Sequence, residues 1–420
     1  MFDLDHWREI YEVLSANKLR TFLTAFGVFW GLFMLMVMLG SGNGLENGVR
    51  KDFSDSATNS FFVWGRATTK PYRGLKIGRP IVLTNEDTAA IRAQVPDAEV
   101  VAPRLQLGGY RSGNNVTRGT KAGSFNVMGD TPDIRRIQGM ELERGRFLND
   151  LDLRERRKVA VIGSRVVELL FEPDEDPIGE HILVAGVHFR VVGTIESIQS
   201  IEDNERDSAT IYVPFTTFQS AFNYANRVAW WAITSRDGVP ASQAENEVLA
   251  LLRKRHDVAP DDEQALGHFN LEEEFNEIQG LFAGIRVLVW IVGIGTLAAG
   301  AIGVSNIMLV IVRERTKEIG VRRAIGATPS WIVLQIVFEA VLLTSMAGYL
   351  GLFAGMGLMD LIAWLLTRSG AEPDMFSNPG VDLGSAGQAL VILVVSGVLA
   401  GIIPARRAIR LTPVQALRAE

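Results

Sequence analysis

The amino-acid sequence predicts an integral membrane protein with four transmembrane α-helices and a large α+β extracytoplasmic (periplasmic) domain between the first and second. Three observations lead there. The apolar residues, 47% of a 420-residue chain, are gathered into runs rather than spread through it. Phe22 to Gly40, Val287 to Val312, Ala340 to Met359 and Leu383 to Ala405 hold no Asp, Glu, Lys or Arg, and each exceeds the roughly 18 residues that mark a candidate membrane span. Second, 21% of the chain is still charged, so the rest has ordinary composition. That excludes a protein made mostly of lipid-buried helices, while the four runs exclude a soluble enzyme. Third, the charge is distributed by segment: Arg313 to Arg323 is net +3, Ala405 to Glu420 is net +3, and Arg368 to Leu383 is net −2. By the positive-inside rule the N-terminus, the second loop and the C-terminus are cytoplasmic. Ser41 to about Leu281 then lies outside, with 28 Lys and Arg against 36 Asp and Glu. The overall charge of −6 is an average over these parts.

Each element follows in chain order. In residues 1–20, Leu4, Trp7, Tyr11 and Leu14 recur at helical spacing, which suits an amphipathic helix along the inner leaflet or against a partner subunit. The first span is placed at 21–40. It is long for a signal-peptide core, and Gly40-Ser41-Gly42 is a poor cleavage site, so it reads as an uncleaved anchor. The outer domain with its stalk covers 41–283. Within it Lys158 to Gly163 is a strand and Ser164 to Leu170 a short helix. Ile182 to Val184 and Val187 to Gly193 form a hairpin about Ala185-Gly186, with Val187, Phe189 and Val191 on one face and His188 and Arg190 on the other. Thr210 to Val213 is a further strand, Thr84 to Ala93 a capped helix, and Ser242-x-x-Glu245 a capping box opening a helix with Ala244, Val248, Leu251 and Leu252 inward. Phe275, Ile278, Phe282 and Ile285 extend the second span outward as a stalk. The second span is placed at 284–312, a cytoplasmic helix at 313–330, the third span at 331–366, a short outer loop at 367–384, the fourth span at 385–404 and a cytoplasmic tail at 405–420.

Much chemistry is absent. There is no cysteine, hence no disulfide, thiol nucleophile or thiolate zinc site. No G-x-x-x-x-G-K-[ST] loop occurs, so this chain binds no cofactor by that motif. His6, His181, His188, His256 and His268 contain no H-E-x-x-H; His181 and His188 flank the hairpin as ordinary surface residues, and no metal site is expected. Asn115-Val116-Thr117 fits a glycosylation pattern that means little out of context. The acidic balance gives no support to nucleic-acid binding.

The informative stretch runs from Ser305-Asn306-Ile307-Met308 through Val312-Arg313-Glu314-Arg315-Thr316-Lys317-Glu318-Ile319-Gly320-Val321-Arg322-Arg323-Ala324-Ile325-Gly326-Ala327-Thr328-Pro329 into Glu339-Ala340-Val341-Leu342-Leu343. Taken alone, Glu314 and Glu318 stand at i, i+4 among Arg313, Arg315, Lys317, Arg322 and Arg323, with Ile319 and Ile325 as apolar contacts. This is a charged amphipathic element between two membrane helices, ended by Gly326 and Pro329. Arginines that only anchored topology would need no Glu314 or Glu318. Inside the membrane, Asn306 and Glu339 are polar, and the Glu339 carboxylate is costly there unless paired. Gly293, Gly303, Gly351, Gly355, Gly397 and Gly401 are small residues at which helices approach closely.

The stretch closely resembles the permease signature of the MacB/FtsX family of ATP-binding-cassette transporters. Ala16 to Thr24, the tail from Pro404 to Arg418, and Gly145-Arg146-Phe147, Arg157 to Gly163 and Asp176-Pro177-Ile178-Gly179 in the outer domain resemble the same family. The resemblance implies a non-catalytic permease subunit of the bacterial inner membrane, without a fused ATPase domain, that works by mechanotransmission. Arg313, Glu314, Arg315, Lys317, Glu318, Ile319, Arg322 and Arg323 would engage the ATPase. It implies ABC ATPase subunits carrying ATP and Mg, a second permease copy as homodimer or close paralogue, and a periplasmic adaptor with an outer-membrane channel. The cargo would be a drug, peptide or other amphiphile. Lipoprotein release and regulation of a cell-wall hydrolase are the alternatives within the family.

Overall fold

The computed structural model describes residues 18–54, 57–108, 113, 115–197, 208–369 and 376–410. The amphipathic stretch expected before residue 18 and the tail beyond 410 lie outside the described residues. Among the described residues, four helices are long and apolar enough to cross a membrane. In chain order the membrane-unit helices are α1 (Lys18–Ser54), α2 (Leu271–Glu314), the short α3 (Thr316–Ala324), α4 (Pro329–Ser369) and α5 (Leu383–Arg410). The chain folds as two compact units, Met1–Val49 with Gly280–Glu420, and Arg50–Gln279.

The span helices outrun their apolar runs. α1 continues past Gly40 because polar contacts take over where apolar ones stop. Asn43 donates from Nδ2 to the Gly380 carbonyl at 2.9 Å, the Ser377 N–H donates to the Gly44 carbonyl at 3.0 Å, and Glu46 pairs with Arg286 of α2. α1 lies between α2 and α4. A Cβ on Gly293 or Gly300 of α2 would press on Leu35 or Val28, and one on Gly351 of α4 would stand 2.4 Å from the Phe29 carbonyl oxygen. α5 packs on α4 in the same way, with Gly397 against Thr344 and Gly401 against Val337. The result is one apolar core of residues such as Leu32, Met36, Leu297, Val304, Ile336, Ala340 and Leu393. Lipid is as apolar as these side chains, so close approach at small residues, rather than release of water, holds such helices together.

The second unit is built on a four-stranded antiparallel sheet in the order Leu266–Asn270, Ser60–Gly65, Trp230–Ser235, Ala98–Leu107. The helix Asn85–Gln94 connects its first two strands in sequence and Ala241–Arg255 its last two. This is a β-α-β-β-α-β arrangement. Between its second and third strands the chain inserts a further set that continues the sheet through Leu105↔Gly129 pairing onto Asn126–Asp130, Thr210–Pro214, Val159–Gly163 and Val187–Ser197. Strand Val159–Gly163 is buried along its whole length. Its alternate side chains enter two cores, Ala160 and Ile162 one, Val159 and Val161 the other, as the period of two dictates.

The hairpin pairs Val184 with Val187, and Ala185 and Gly186 both take positive φ, 44° and 86°, as a tight two-residue turn requires. Phe189 and Val191 are buried while His188 and Arg190 are exposed. The helix Ser164–Leu170 follows its strand directly. Asn115 is a structural residue: its amide donates to the Phe125 carbonyl at 2.7 Å and accepts the Phe125 N–H at 2.8 Å. The capping box at Ser242 does not form. The helix begins one residue earlier at Ala241, whose N–H is taken by the Glu272 carboxylate. Glu245 is drawn away to accept from Asn270 at 2.7 Å.

Candidate functional site

The charged segment of the signature folds into α3, joined to α2 by Arg315 alone. Arg315 keeps the hydrogen-bond ladder almost continuous: its N–H reaches the Ile311 carbonyl and its own carbonyl receives the Ile319 N–H at 3.0 Å. Its φ of −92° and ψ of 14° nevertheless break the helix. Glu314 and Glu318 therefore stand on two helices, not on one as their i, i+4 spacing suggests. Glu314 ends α2 exposed, and Glu318 turns inward.

Glu318 belongs to a closed polar ring. Its Oε1 meets Arg322 Nη2 at 2.6 Å, and its Oε2 lies 3.7 Å from Arg315 Nε. Arg322 Nη1 donates to Gln335 Oε1 at 3.1 Å, Gln335 Nε2 donates to Glu339 Oε1 at 3.4 Å, and Arg315 Nη1 donates to Glu339 at 3.3 Å. The carboxylate of Glu339, about 15 Å along α4 from its start at 1.5 Å per residue, is thereby neutralised by the residue that joins α2 to α3. Ile311, Val312, Ile319, Ile332 and Ile336 close an apolar floor beneath the ring, around a void of about 20 Å³. The guanidinium of Arg322 also stands over the Trp331 ring at 5.8 Å, and Arg323 donates to the Ile409 carbonyl at the end of α5 at 3.0 Å. α3 is thus fixed to α2, α4 and α5.

The other face of α3 is open. Lys317, Val321, Ala324 and Ile325 are exposed, with Ile325 at 81%, and Arg313 and Glu314 are exposed just before the helix. Beside them an open groove of about 440 Å³ runs along Arg322, Ile325, Ala327, Thr328 and Trp331. Of the eight residues singled out from the sequence, Arg315, Glu318, Ile319, Arg322 and Arg323 face the rest of the chain, and Arg313, Glu314 and Lys317 face away. Sequence reasoning missed Gln335, which links Arg322 to Glu339 from α4, Trp331, over which the Arg322 guanidinium stands, and Val321 and Ala324. The spacing of Lys317, Val321 and Ala324 was the signal for the outward stripe.

Among the intramembrane residues, Glu339 is paired as described. Asn306 is exposed on α2, and among the described residues its amide has no hydrogen-bond partner. Gly293, Gly351, Gly355, Gly397 and Gly401 each lie in close contact with another helix of the same chain, while Gly303 makes only an ordinary contact with Thr24 at 3.6 Å. Among the described residues, no group of three or more His, Asp or Glu is placed to hold a metal ion.

Two family models match. That of a MacB-like periplasmic core domain covers residues 21–251, and that of an FtsX-like permease C-terminal region covers 290–413. The chain belongs to the MacB/FtsX-type permease family. Its relatives include the "Macrolide export ATP-binding/permease protein MacB" of Shewanella sp. (strain W3-18-1), 31% identical over 97% of this chain and 59% of the relative. Another is the "Pyoverdine export ATP-binding/permease protein PvdT" of Pseudomonas syringae pv. syringae (strain B728a), 30% identical over 99% of this chain and 59% of the relative. The chain thus spans less than two thirds of the length of these curated relatives. The crystal structure of the periplasmic region of MacB from Actinobacillus actinomycetemcomitans covers 54% of this chain and 96% of its own, at 19% identity and a TM-score of 0.43. In this MacB/FtsX-type permease, the core-domain match takes in α1 and most of the α/β unit, and the C-terminal match contains the whole polar ring.

Proposed function

We propose that this chain is the permease subunit of an ABC transporter of the bacterial inner membrane, with both termini in the cytoplasm. It couples ATP hydrolysis on a separate ATPase subunit to conformational change in its periplasmic domain. The observation that carries this reading is the two-faced α3. One face is held by the ring to α4 and by Arg323 to the end of α5, and the other presents Lys317, Val321, Ala324 and Ile325 to a partner. A helix held so tightly transmits a push instead of absorbing it. α2 continues from Arg315 as one helix to Leu271, about 65 Å at 1.5 Å per residue, long enough to carry a displacement beyond the bilayer.

ATP and Mg reside on the ATPase in this scheme, and this chain binds no cofactor. The permease works with a second copy, and a periplasmic adaptor and outer-membrane channel complete the route. The relatives' names, macrolide and pyoverdine export, favour a drug, peptide or other amphiphile as cargo. The test is the double variant Val321→Asp with Ile325→Asp, which puts charge on the open face and leaves the ring intact. ATPase activity that co-purifies with the unmodified chain is expected to fall at least tenfold in the variant at equal membrane yield. Undiminished activity would remove α3 as the docking element.

A further inference from the structure

Asn306 places a hydrogen-bonding amide where, among the described residues, this chain supplies no partner. It lies seven residues before Arg313, about 10 Å along α2 from the first charge at 1.5 Å per residue. Lipid tails offer it nothing, and an unpaired amide in hydrocarbon is costly. Its position on the helix is informative. The stripe by which α2 meets α1 runs through Val289, Gly293, Leu297, Gly300 and Val304. At 3.6 residues per turn Asn306 stands on the opposite side.

On that side Gly295, Ala299, Ile302, Asn306, Leu309 and Arg313 succeed one another at spacings of four, three, four, three and four residues. Gly295, Ala299, Ile302, Asn306 and Arg313 are exposed, Ile302 at 63%, and a Cβ on Gly295 would meet nothing within 4 Å. Alternation of four and three keeps a seam facing a second helix, and one polar residue in such a seam fixes its register. Small residues let backbones approach there. An asparagine amide is both donor and acceptor, so its natural complement across a two-fold axis is itself.

We propose that α2 packs against α2 of a second copy of this chain along this seam, with the two Asn306 amides hydrogen-bonded to each other. The inference rests on the reading of the permease as a pair and says where and how the pair is made.

The absence of cysteine gives a clean test with the purified full chain in phosphatidylcholine vesicles. Under copper-phenanthroline oxidation, Ile302→Cys is expected to give a disulfide-linked pair. Leu350→Cys on α4 and Val391→Cys on α5, equally exposed at 63% and 64%, are expected to give none. Adding Asn306→Leu should lower the linked fraction of Ile302→Cys by roughly threefold to tenfold, and Asn306→Gln should retain most of it. Light scattering of the same preparation in detergent separates the two levels of the proposal. A two-copy particle in which Ile302→Cys does not link, or links no better than Leu350→Cys, overturns the seam and leaves the pair standing. A single-copy particle overturns the pair itself.

Discussion

Two polar clusters, one in each unit, use the same chemistry to different ends. In the α/β unit, Arg104 and Asp130 form a bidentate pair at 2.7 and 2.9 Å, with side chains 6% and 0% exposed. They sit where strand Ala98–Leu107 passes from pairing with Trp230–Ser235 to pairing with Asn126–Asp130. In the membrane unit, the ring around Glu318 spreads its contacts from 2.6 to 3.7 Å and leaves Glu318 39% exposed. Burial pushes the Asp130 carboxyl up against the pull of Arg104, so the pair adds little net stability but cannot be broken cheaply. It fixes register where one sheet becomes the next. The ring is longer, more exposed and distributed over α3, α4 and the joint at Arg315. A dry bidentate pair specifies a fold; a half-exposed circuit ties a short helix to its neighbour.

Breaking the first cluster should have the largest effect. Asp130→Ala leaves Arg104 buried without a counter-charge, and a loss of about 3–5 kcal/mol is expected, read as a lowered thermal midpoint of the full chain in detergent. A loss under 1 kcal/mol would mean that the pair is not the register device described.

An intermediate case in the same unit sharpens the contrast through pH. Burial works against the charge on Asp87. Hydrogen bonds and charge from His256, then Arg255, with Thr84, outweigh it and hold the carboxyl well below the ordinary carboxylate range. Its folded pKa is depressed, so its contribution is complete above the unfolded value of about 3.9 and is lost as pH falls from there through the folded value. Asp87→Asn is expected to cost about 1–3 kcal/mol at pH 7. That deficit should shrink at pH 3, and a deficit independent of pH would show that the carboxylate charge is not what matters.

The ring should show the smallest effect on stability and a larger one on coupling. Glu318→Lys sets a cation between Arg315 and Arg322, yet exposed pairs of this kind are worth under about 1 kcal/mol, so membrane insertion and yield should survive. Transport per ATP hydrolysed is expected to fall by roughly tenfold, equivalent to about 1.4 kcal/mol. Unchanged transport would mean that the ring is dispensable for the proposed coupling.

The parts of the molecule that were legible in the sequence are those set by local pattern. Four charge-free runs gave the four apolar helices, and alternation gave the strand at Val159–Gly163 and the hairpin about Ala185-Gly186. What escaped depended on distant partners. Glu245 has the spacing of a capping residue, but Asn270 takes it. Glu314 and Glu318 have helical spacing, but the backbone of Arg315 breaks between them. Gln335 carries no local sign that it joins Arg322 to Glu339. The parallel pairing of Thr210–Pro214 with Asn126–Asp130 is equally invisible from either strand alone.

The joint at Arg315 also limits how this protein can change over evolution. Most connections between helices are loops that tolerate gain or loss of a residue. Here one residue separates two helices, and each inserted residue would rotate everything after it by about 100°. A single insertion would swing Val321 and Ala324 from the open side toward the membrane and carry Glu318 out of the ring. The segment can therefore vary in composition far more readily than in length, and its length works as a setting of angle.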